Sequence, residues 1–333
     1  MTLNIAYIFD ANYLMQTGVS VFSLLTNNSK EAIHFFLIHP KKMPKDLDKL
    51  HETIESFGSS FSTFHYDEYD ALLNRLKVPL DSGHRVVYYR LFLAELIPQI
   101  DRLLYLDGDT IILNDLSPLY QTDLGDKIIG MAYDSNSNEV KYAFGLKDDE
   151  PYYNAGIILY DLKKYREKLD MDKTVEAIRT ICVGSILPDQ DLLNLQFKKQ
   201  IKTLDPRYNY QPIHRLFTSD VYLWYFKTGY YSKEQLDSAD ENTVILHSLR
   251  LFGDRPWDVD SHHPHKKDFD EYKSKSVWSE FTLKKKKKNT IHIIEYHLYK
   301  IMPKKLFLYV FYKIHKRDIM NELKVKRKNA VKP

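Results

Sequence analysis

The stretch LNIAYIFDANYLMQTGVSVFSLLTNNSKEAIHFFLIH (3–39) decides the fold class of this chain. It opens with the apolar run LNIAYIFD (3–10), which ends in a carboxylate, and it closes with a second apolar run, HFFLIH (34–39). The residues between them have the apolar spacing of a helix, and Asn27 with Asn28 suits the end of that helix. Strand, helix and strand in this order predict a βαβ unit. Such a unit predicts a parallel sheet with ligand sites at the carboxyl ends of its strands.

The rest of the chain continues this pattern. Further runs that predict strands are FSTFHY (61–66), RLLYLD (102–107), KIIGMAYD (127–134), AGIILYDL (155–162) and NTVILHSL (242–249). Helices are predicted at RVVYYRLFLAELIP (85–98), where Pro98 would end the helix, at about 163–180, and at DQDLLNLQF (189–197). Several strands end in Asp or His, and in an open α/β sheet that edge is where sites are built.

The composition is that of an ordinary globular protein, with 333 residues, 44% hydrophobic and 28% charged. This length allows one large domain, or one domain with an extension. Because Cys182 is the single cysteine, no internal disulfide is expected, and a reducing, cytoplasmic setting is the natural interpretation. The first ten residues show no secretory signal pattern, and no run of about 18 apolar residues predicts a membrane-spanning helix.

The net charge of +3 conceals an acidic body and a basic tail. Residues 284–333 contain 16 Lys and Arg but 3 Asp and Glu, which leaves the preceding residues with a net charge of −10. Lysines alternate with aromatic and aliphatic residues in this tail, and Pro303 separates two helical stretches. Its apolar run LFLYVFY (306–312) is far too short to span a membrane.

We expect this tail to form basic amphipathic helices that lie on an anionic membrane surface. The protein would then be peripheral on the inner face of the cell membrane. A solvated, partly disordered end is the alternative, and binding to nucleic acid is not expected because enzyme motifs precede the tail. Truncation after about Phe281 is expected to leave an active protein.

The run RLLYLD (102–107) ends in Asp107, and a second aspartate, Asp109, follows in the segment LDGDTI (106–111). Asp107 and Asp109, separated by Gly108 in a tight turn, could both reach one divalent cation, and hard oxygen ligands suit Mg²⁺ or Mn²⁺. Such a cation commonly bridges a diphosphate and neutralises charge on a leaving group. The segment also matches the Asp-x-Asp-x-Thr motif of haloacid-dehalogenase-like phosphatases, in which Asp107 would be the nucleophile. A solvated turn with two ordinary acids is the third interpretation.

The order of motifs along the chain decides between these interpretations. The motifs are FDANY (9–13), YYRLFLAELIP (88–98), RLLYLDGDTIILNDLSPLY (102–120), YYNAGIILYDLKKYR (152–166), LPDQDLLN (187–194) and LHSLRLFGDRPW (246–257). Together they resemble glycosyltransferase family 8, the retaining enzymes of the GT-A fold that include bacterial lipopolysaccharide galactosyl- and glucosyltransferases. The resemblance runs from about Asn4 to about Trp278.

This resemblance implies donor-binding, metal-binding and catalytic residues. The implied donor-binding residues are Ile8, Asp10, Asn12, Tyr13, Arg90, Asp107, Gly108, Asn154, Ala155, Gly156, Gly253 and Arg255. The implied ligands of Mn²⁺ or Mg²⁺ are Asp107, Asp109 and His247, and the residues implied at the reacting sugar are Gln190, Asp189 and Asp134. Asp191 is left out of the site because it suits the first turn of a helix.

The chemistry of these side chains is compatible with such roles. Tyr13 can stack on a base, Arg90 can make two charge-assisted contacts to a diphosphate, and a neutral His247 imidazole can complete a metal site. Structural alternatives stay open for each of them. They are a cap at the strand end for Asp10, core packing for Tyr13, a surface salt bridge for Arg90, a tight strand entry for 154–156 and a structural role for His247.

Two stretches depart from the pattern of the family. The family has roughly His-aromatic-x-Gly-x-x-Lys-Pro-Trp, whereas this chain has HSLRLFGDRPW (247–257). The path to Gly253 is longer here, and Arg255 replaces the lysine, so it is open whether Gly253 or Arg250 contacts the diphosphate. His84 is not assigned, because the family often has its histidine earlier in that stretch.

We therefore expect an α/β protein with a GT-A-type, Rossmann-like mixed sheet flanked by helices. The glycosyltransferase domain would span 1–265, and a basic, aromatic helical extension would span 266–333. The expected reaction is retaining transfer of galactose or glucose from a UDP-sugar to a cell-surface glycan, lipid-linked or glycoprotein acceptor. A phosphatase that uses Asp107 is weaker, because its acidic pair would be Asp148-Asp149, which lies in a polar stretch. A noncatalytic basic surface-binding protein is the second alternative.

Overall fold

The computed structural model describes residues 1–76, 85–135, 141, 146–147, 150–182, 185, 187–226, 231–283, 285 and 289–330. Outside these ranges lie His84, the Asp148-Asp149 pair and, apart from Lys285, the run of five lysines.

The described part of the chain contains nine strands in two sheets. The strands are β1 (Thr2–Ile8), β2 (Ala32–His39), β3 (Ser60–His65), β4 (Arg102–Leu106), β5 (Thr110–Ile112), β6 (Ile129–Met131), β7 (Ile157–Asp161), β8 (Ile201–Thr203) and β9 (Ile245–His247). The large sheet has the order β3-β2-β1-β4-β7-β6-β8, and β5 pairs with β9 in a small antiparallel sheet.

Six strands of the large sheet run in one direction, and β7 runs against them. β1 is parallel to β2 and β4, β2 to β3, and β6 to β8, whereas β7 is antiparallel to its neighbours β4 and β6. This confirms the mixed, Rossmann-like sheet expected from the sequence. Because of the reversal, β7 begins at the edge where β4 ends, so two distant segments of the chain meet there.

Fifteen α-helices surround the sheets in the described ranges. They are α1 (Leu14–Asn27), α2 (Leu47–Ser56), α3 (Tyr66–Arg75), α4 (Arg85–Tyr89), α5 (Leu93–Leu96), α6 (Ser117–Tyr120), α7 (Leu162–Lys168), α8 (Met171–Ala177), α9 (Pro188–Gln196), α10 (Pro212–Leu216), α11 (Ser219–Phe226), α12 (Lys233–Glu241), α13 (Lys266–Lys275), α14 (Thr290–Ile301) and α15 (Lys304–Ala330). Short 3₁₀ turns lie at Arg90–Phe92 and Pro206–Tyr208, and a π-helical turn lies at Ile178–Cys182.

Core residues pack on both faces of the large sheet. Along β1, Leu3, Ile5 and Tyr7 belong to the cluster that contains α1, whereas Ala6 belongs to the cluster on the opposite face. This alternation follows from the two-residue period of a strand. Trp278 is also buried in the α1 cluster, where a Cβ on Gly18 of α1 would overlap its indole ring.

Two predicted helices differ from the structure. The stretch 85–98 is divided into α4, a 3₁₀ turn and α5, because tyrosine hydroxyls take up backbone carbonyls there: Tyr160 donates to Arg90 at 2.9 Å, and Tyr165 donates to Leu91 at 2.9 Å. The stretch 163–180 forms α7 and α8 instead of one helix, since the carboxylate of Asp170 accepts from the amide of Lys173 at 3.0 Å and begins a new helix.

The tail contains the two helices α14 and α15, and both pack against the body. Phe307, Leu308 and Tyr312 of α15 are buried in an aromatic cluster with Phe217 and Phe226. None of the described helices is long and apolar enough to cross a membrane. The domain boundary at 265/266 stays a prediction. Residues beyond it contribute to the same cores as the body.

Candidate active site

The candidate site lies where the end of β4 meets the beginning of β7. The amide of Asp107, directly after β4, donates to the carbonyl of Gly156, directly before β7, at 2.7 Å. Because Leu106 pairs with Ile157 in antiparallel register, the two segments continue side by side beyond the sheet. The paired aspartates and the segment 154–156 therefore share one edge, where open α/β sheets bind ligands.

Three side chains at this edge offer ligand atoms for a metal ion. The pairing of β5 with β9 puts Thr110 opposite His247, next to Asp109. Ligand atoms of Asp107, Asp109 and His247 all lie within 4.8 Å of one another. Nε2 of His247 is 3.3 Å from Oδ1 of Asp109 and 3.8 Å from Oδ2 of Asp107.

These residues fit the cation that the motif implied. Oδ1 of Asp109 and Nε2 of His247 are buried, and neither has a hydrogen-bond partner among the described residues. A buried polar atom without a partner costs free energy, and a cation between the two atoms would satisfy both. The two carboxylates suit Mn²⁺ and Mg²⁺, and the imidazole suits a transition metal such as Mn²⁺ better than Mg²⁺.

Arg90 joins three parts of the site. Its guanidinium lies 3.2 Å from Oδ1 of Asp107 and 3.0 Å from Oδ2 of Asp189, and it donates to the carbonyl of Ala155 at 2.8 Å. Asp189 lies in the first turn of α9, which begins at Pro188. The surface salt bridge considered for Arg90 is not what the structure shows, since its side chain is 14% exposed and lies inside the site.

Arg255 is the corresponding partner of the second aspartate. Its Nη1 donates to Oδ2 of Asp109 and to the carbonyl of Ser248, both at 2.5 Å. Its guanidinium lies 5.4 Å from the centre of the Trp257 ring, within the range of a cation–π contact. The replacement of the family's lysine by arginine therefore keeps a positive charge beside the aspartates.

The two aspartates have different electrostatic surroundings. Burial raises the pKa of Asp107, and the nearby charge of Asp109 adds to this, although Arg90 acts in the opposite direction. Burial alone would also raise the pKa of Asp109, but the charge of His247 in its protonated form and the charge of Arg255 lower it below its usual value. The Asp109 carboxylate is thus the more firmly ionised of the pair.

A buried amide network connects the residues expected at the reacting sugar. Oδ2 of Asp134 accepts from the amide groups of Asn154 at 2.8 Å and Gln190 at 2.9 Å. Oε1 of Gln190 accepts from the backbone amide of Ala155 at 2.9 Å, and Oδ1 of Asn154 accepts from that of Gly156 at 3.0 Å. The segment 154–156 is therefore the centre of the site. The backbone amides of Ala155 and Gly156 and the carbonyl of Ala155 are all hydrogen-bonded to side chains of the site.

Two of the three glycines of the predicted site, Gly156 and Gly108, are required by close packing. A Cβ on Gly156 would lie 2.7 Å from Nε2 of His247 and 2.9 Å from Oδ2 of Asp107. A Cβ on Gly108 would overlap the hydroxyl of Thr17 in α1. Gly108 is not among the described residues with positive φ, so the contact with α1, and not an unusual backbone conformation, explains the glycine.

The loop after β1 is organised by Asp10. Its carboxylate accepts from the backbone amides of Asn12 at 2.9 Å and Tyr13 at 3.2 Å, which closes a turn after β1. Asp10 does not cap α1, since the N-cap of that helix is Tyr13, without a side-chain capping bond. Tyr13 contacts the Trp257 ring edge-on, with the ring centres 5.9 Å apart. Ile8 ends β1 beside this loop, half-buried.

The loop 248–257 contains a turn of two left-handed residues. Leu251 and Asp254 bond to each other through both backbone groups, and between them Phe252 has φ 50° and Gly253 has φ 72°. This geometry is that of a type I′ turn. Gly253 lies against the tail, where its Cβ would be 2.8 Å from Cγ of His292. The contact that the structure shows for Gly253 is therefore with α14.

The sequence of this chain matches the model of glycosyl transferase family 8 over residues 4–259. The chain belongs to glycosyltransferase family 8. General stress protein A of Bacillus subtilis is 27% identical over 279 residues, which cover 81% of this chain and 92% of that protein. The lipopolysaccharide 1,2-glucosyltransferase of Escherichia coli K12 is 29% identical over 213 residues, which cover 62% of each chain.

The fold of this chain is also found among solved structures. The galactosyltransferase LgtC, crystallised with donor and acceptor sugar analogs, superposes with a TM-score of 0.63 at 24% identity. The match covers 83% of this chain and 96% of that chain. The expected GT-A fold is thereby confirmed. Family membership makes the chain a glycosyltransferase and decides against the phosphatase interpretation of Asp107.

Sequence reasoning missed two residues of this family 8 site. The hydroxyl of Tyr105 donates to Oδ1 of Asp107 at 2.5 Å, and its ring centre lies 4.8 Å from the Arg90 guanidinium. Its position two residues before Asp107 on a strand was a usable signal, since such residues share a face. Asn209 bonds to both His247 and Asn154, and the local sequence RYNYQP has no feature that would identify it.

Proposed function

We propose that this protein is a metal-dependent, retaining glycosyltransferase that transfers galactose or glucose from a UDP-sugar. The observation that carries the proposal is the pair of buried, unpartnered ligand atoms of Asp109 and His247, with Asp107 beside them. The proposed acceptor is a cell-surface glycan, a lipid-linked glycan or a glycoprotein. The names of the relatives support a hexose donor, since one is a lipopolysaccharide glucosyltransferase and another a galactosyltransferase.

In this proposal the loop after β1 binds the nucleoside. Asp10 accepts two backbone amides at Oδ1 and the side-chain amide of Asn12 at Oδ2, which leaves a lone pair on Oδ2 for a uracil edge or a ribose hydroxyl. Asn12 is exposed next to it. The half-buried Tyr13, held edge-on by Trp257, supplies an aromatic face for the base.

The sugar and the diphosphate would lie over the segment 154–156. Asp107, Asp109 and His247 would hold Mn²⁺ or Mg²⁺, which would offset the charge that develops on the departing UDP. Arg255 and Arg90 add two positive charges at the same edge. Both guanidinium groups are fixed by several contacts, which favours preorganised stabilisation of charge.

The reacting face of the sugar is assigned to α9 and to Asp134. Asp134 and Asp189 would accept hydrogen bonds from sugar hydroxyls, and Gln190, fixed between Asp134 and Ala155, would lie beside the anomeric carbon. The acceptor oxygen would bond to that carbon on the face from which UDP leaves. Its proton would pass to the departing phosphate oxygen.

A screen of UDP release tests this function. The wild-type protein is incubated with UDP-galactose, UDP-glucose and related donors in the presence of Mn²⁺, and slow UDP release is expected with one hexose donor. Asp109→Asn should lose this activity, because it removes a charged ligand. Asp126→Asn is the matched control, since it removes a carboxylate that is 84% exposed. Equal turnover by wild type and Asp109→Asn would refute the metal site.

We further propose that the tail attaches the enzyme to an anionic membrane surface. Ile294, Ile301, Leu306 and Tyr309 on the tail helices are each about half exposed or more, and lysines alternate with them along the chain. Each basic residue near such a surface contributes about 1 kcal/mol. This attachment would bring the site close to a lipid-linked acceptor.

Sedimentation with vesicles tests the attachment. The full chain should bind vesicles that contain phosphatidylglycerol at low salt and should be released at high salt. The double variant Ile294→Glu, Ile301→Glu should bind more weakly, whereas Val277→Glu, at an exposed apolar position outside the tail, should bind like wild type. A wild-type protein that ignores these vesicles at low salt would refute the attachment.

A further inference from the structure

The orientation of the Asn154 amide is determined by two groups whose hydrogen-bonding roles are fixed. Its Oδ1 accepts from the backbone N–H of Gly156 at 3.0 Å, and a backbone N–H can only donate. Its Nδ2 donates to the carboxylate of Asp134 at 2.8 Å. Exchanging the oxygen and nitrogen of this amide would break both bonds, so Asn154 presents an acceptor towards its next neighbour, Asn209.

Asn209 transmits this direction to His247. Its Nδ2 donates to Oδ1 of Asn154 at 3.0 Å, which leaves its Oδ1 as the atom that faces Nδ1 of His247, also at 3.0 Å. An amide oxygen accepts only, so the hydrogen of the neutral imidazole must lie on Nδ1. Nε2 then carries a lone pair, and this is the atom directed at Asp107 and Asp109.

The backbone holds Asn209 in place for this task. Asn209 is 1% exposed and follows the 3₁₀ turn Pro206–Tyr208. Its neighbour Tyr210 bonds to β9 on both sides, donating to the carbonyl of Ile245 at 2.8 Å and accepting from the amide of His247 at 3.1 Å. The side chains of Asn209 and His247 are therefore in register through their own main chains.

We infer that Asn209 is a positioning residue that holds His247 in the Nδ1–H tautomer, with the Nε2 lone pair directed into the metal site. This inference rests on the proposed metal site and adds to that site a residue that orients one of its ligands. The opposite tautomer would put a hydrogen on Nε2, 3.3 Å from Asp109, and would leave no lone pair for a cation. The chain of amides from Asp134 through Asn154 prevents this, and none of these amides titrates.

The loss of such a partner has a known scale. Removing a group that orients a metal-ligating histidine typically costs about 10- to 100-fold in metal affinity. Asn209→Ala should therefore bind Mn²⁺ about 10- to 100-fold more weakly than wild type. Asn209→Asp keeps an acceptor for Nδ1–H and should recover part of the affinity, although it loses the donor to Asn154.

Two measurements on the full chain test the inference without an activity assay. Mn²⁺ affinity is measured by titration with detection of free Mn²⁺ by electron paramagnetic resonance. The tautomer of His247 is read from the ¹⁵N shifts of histidine-labelled, metal-free protein at about pH 8.5, where an ordinary imidazole is neutral. Wild type and Asn209→Asp should show hydrogen on Nδ1, and Asn209→Ala should show a mixture of tautomers.

Asn28→Ala is the matched control for a buried asparagine. Asn28 is 3% exposed and also uses both ends of its amide, donating to Leu24 and accepting from the amide of Leu116. This variant should lose stability but bind Mn²⁺ like wild type. An Asn209→Ala protein that matches Asn28→Ala in affinity and keeps hydrogen on Nδ1 would overturn the inference. Absence of Mn²⁺ binding by wild type would instead contradict the proposed metal site.

Discussion

The candidate site has two halves that are held by different forces. The sheet-held half consists of 154–156, Gln190, Asn209 and His247, where buried amides and backbone groups satisfy one another. The loop-held half is the loop 248–257, which contains Arg255. Hydrogen bonds among buried amides fix the direction of each group in the first half. The second half has hydrogen bonds of its own but also depends on packing by helices that lie about 40 to 60 residues further along the chain.

Phe252 illustrates how the loop-held half is stabilised. A bulky residue with φ 50° is strained by about 1–2 kcal/mol relative to right-handed backbone. Its ring packs against Tyr296, Tyr299, Phe307 and Phe311 of the tail, with ring centres 5.8 to 6.0 Å apart. The aromatic contacts offset the strain, so the tail takes part in forming the loop that carries Arg255.

The largest effect is expected from Phe252→Ala. Removal of this buried ring should lower the free energy of unfolding by about 3–5 kcal/mol, measured by urea denaturation. The folded fraction should still bind Mn²⁺, because Phe252 packs in the cluster with the tail whereas the ligands Asp107, Asp109 and His247 form a separate group, but it should release UDP more slowly. Tyr309→Ala, at an aromatic residue that is 49% exposed, should change neither property by much.

A chain truncated before the tail should lose the packing that stabilises the loop-held half. Ending the protein after Phe281 would expose Phe252 and the cluster around Phe217, so we now expect reduced donor cleavage where the sequence alone had suggested that the protein stays active. For the Phe252→Ala variant described above, loss of Mn²⁺ binding by the folded protein would show that the sheet-held half depends on the loop-held half.

The corresponding substitution in the sheet-held half is Gly156→Ala. The added methyl group would lie 2.7 Å from Nε2 of His247 and must displace either His247 or Asp107. A displacement of about 1 Å costs on the order of 100-fold in rate, so Mn²⁺-dependent UDP release should fall by about that factor. Gly58→Ala is the control, because Gly58 has φ +70° and open space around it. It should cost about 1 kcal/mol of stability and leave UDP release unchanged.

Acid should destabilise the loop-held half, which is bonded by a buried neutral histidine, whereas the side-chain amides of the sheet-held half do not titrate. His263 donates from Nε2 to the carbonyl of Leu249 at 2.8 Å and accepts at Nδ1 from the amide of His265, so it is bonded in its neutral form. Burial lowers its pKa to about 4, and burial lowers that of His214 to about 3. Both values lie below the unfolded value of about 6.5, so the unfolded chain takes up protons that the folded chain excludes.

Stability from these histidines is therefore complete above about pH 6.5 and is lost as the pH falls towards 4. Each contributes a slope of up to about 1.4 kcal/mol per pH unit. Asp191, whose pKa burial raises to about 6, acts in the opposite direction, so variants must be compared. His263→Gln should show a shallower fall in unfolding free energy between pH 6.5 and 5 than wild type. Parallel curves would contradict the assignment.

The smallest effect is a difference between two arginines. Arg90→Lys loses a fork that reaches Asp107, Asp189 and the carbonyl of Ala155, whereas one atom of Arg255 makes both of its contacts to Asp109 and Ser248. A lysine can replace the second arrangement better than the first. We expect Arg90→Lys to reduce UDP release about 10-fold more than Arg255→Lys. The reverse order would mean that the loop-held arginine has the more demanding role.

Much of the fold and of the metal cluster followed from the sequence. Apolar runs that end in Asp or His located the strands and their functional edge to within a few residues, as at β4 and β9. The grouping of Asp107, Asp109 and His247 was predicted and is present. Helix 85–98 was predicted as continuous, and this was wrong. The tyrosines that take up its carbonyls are Tyr160 and Tyr165, which lie far along the chain and leave no mark on the local sequence.

The sequence by itself determined the α/β class and which side chains could carry chemistry, because both depend on local apolar periodicity and residue type. The tertiary structure decided how these side chains are directed. The reversal of β7 brings 154–156 beside Asp107, the register of Tyr210 against β9 puts Asn209 on His247, and the tail closes on Phe252. Each of these depends on contacts between residues far apart in the chain, and no local pattern records such contacts.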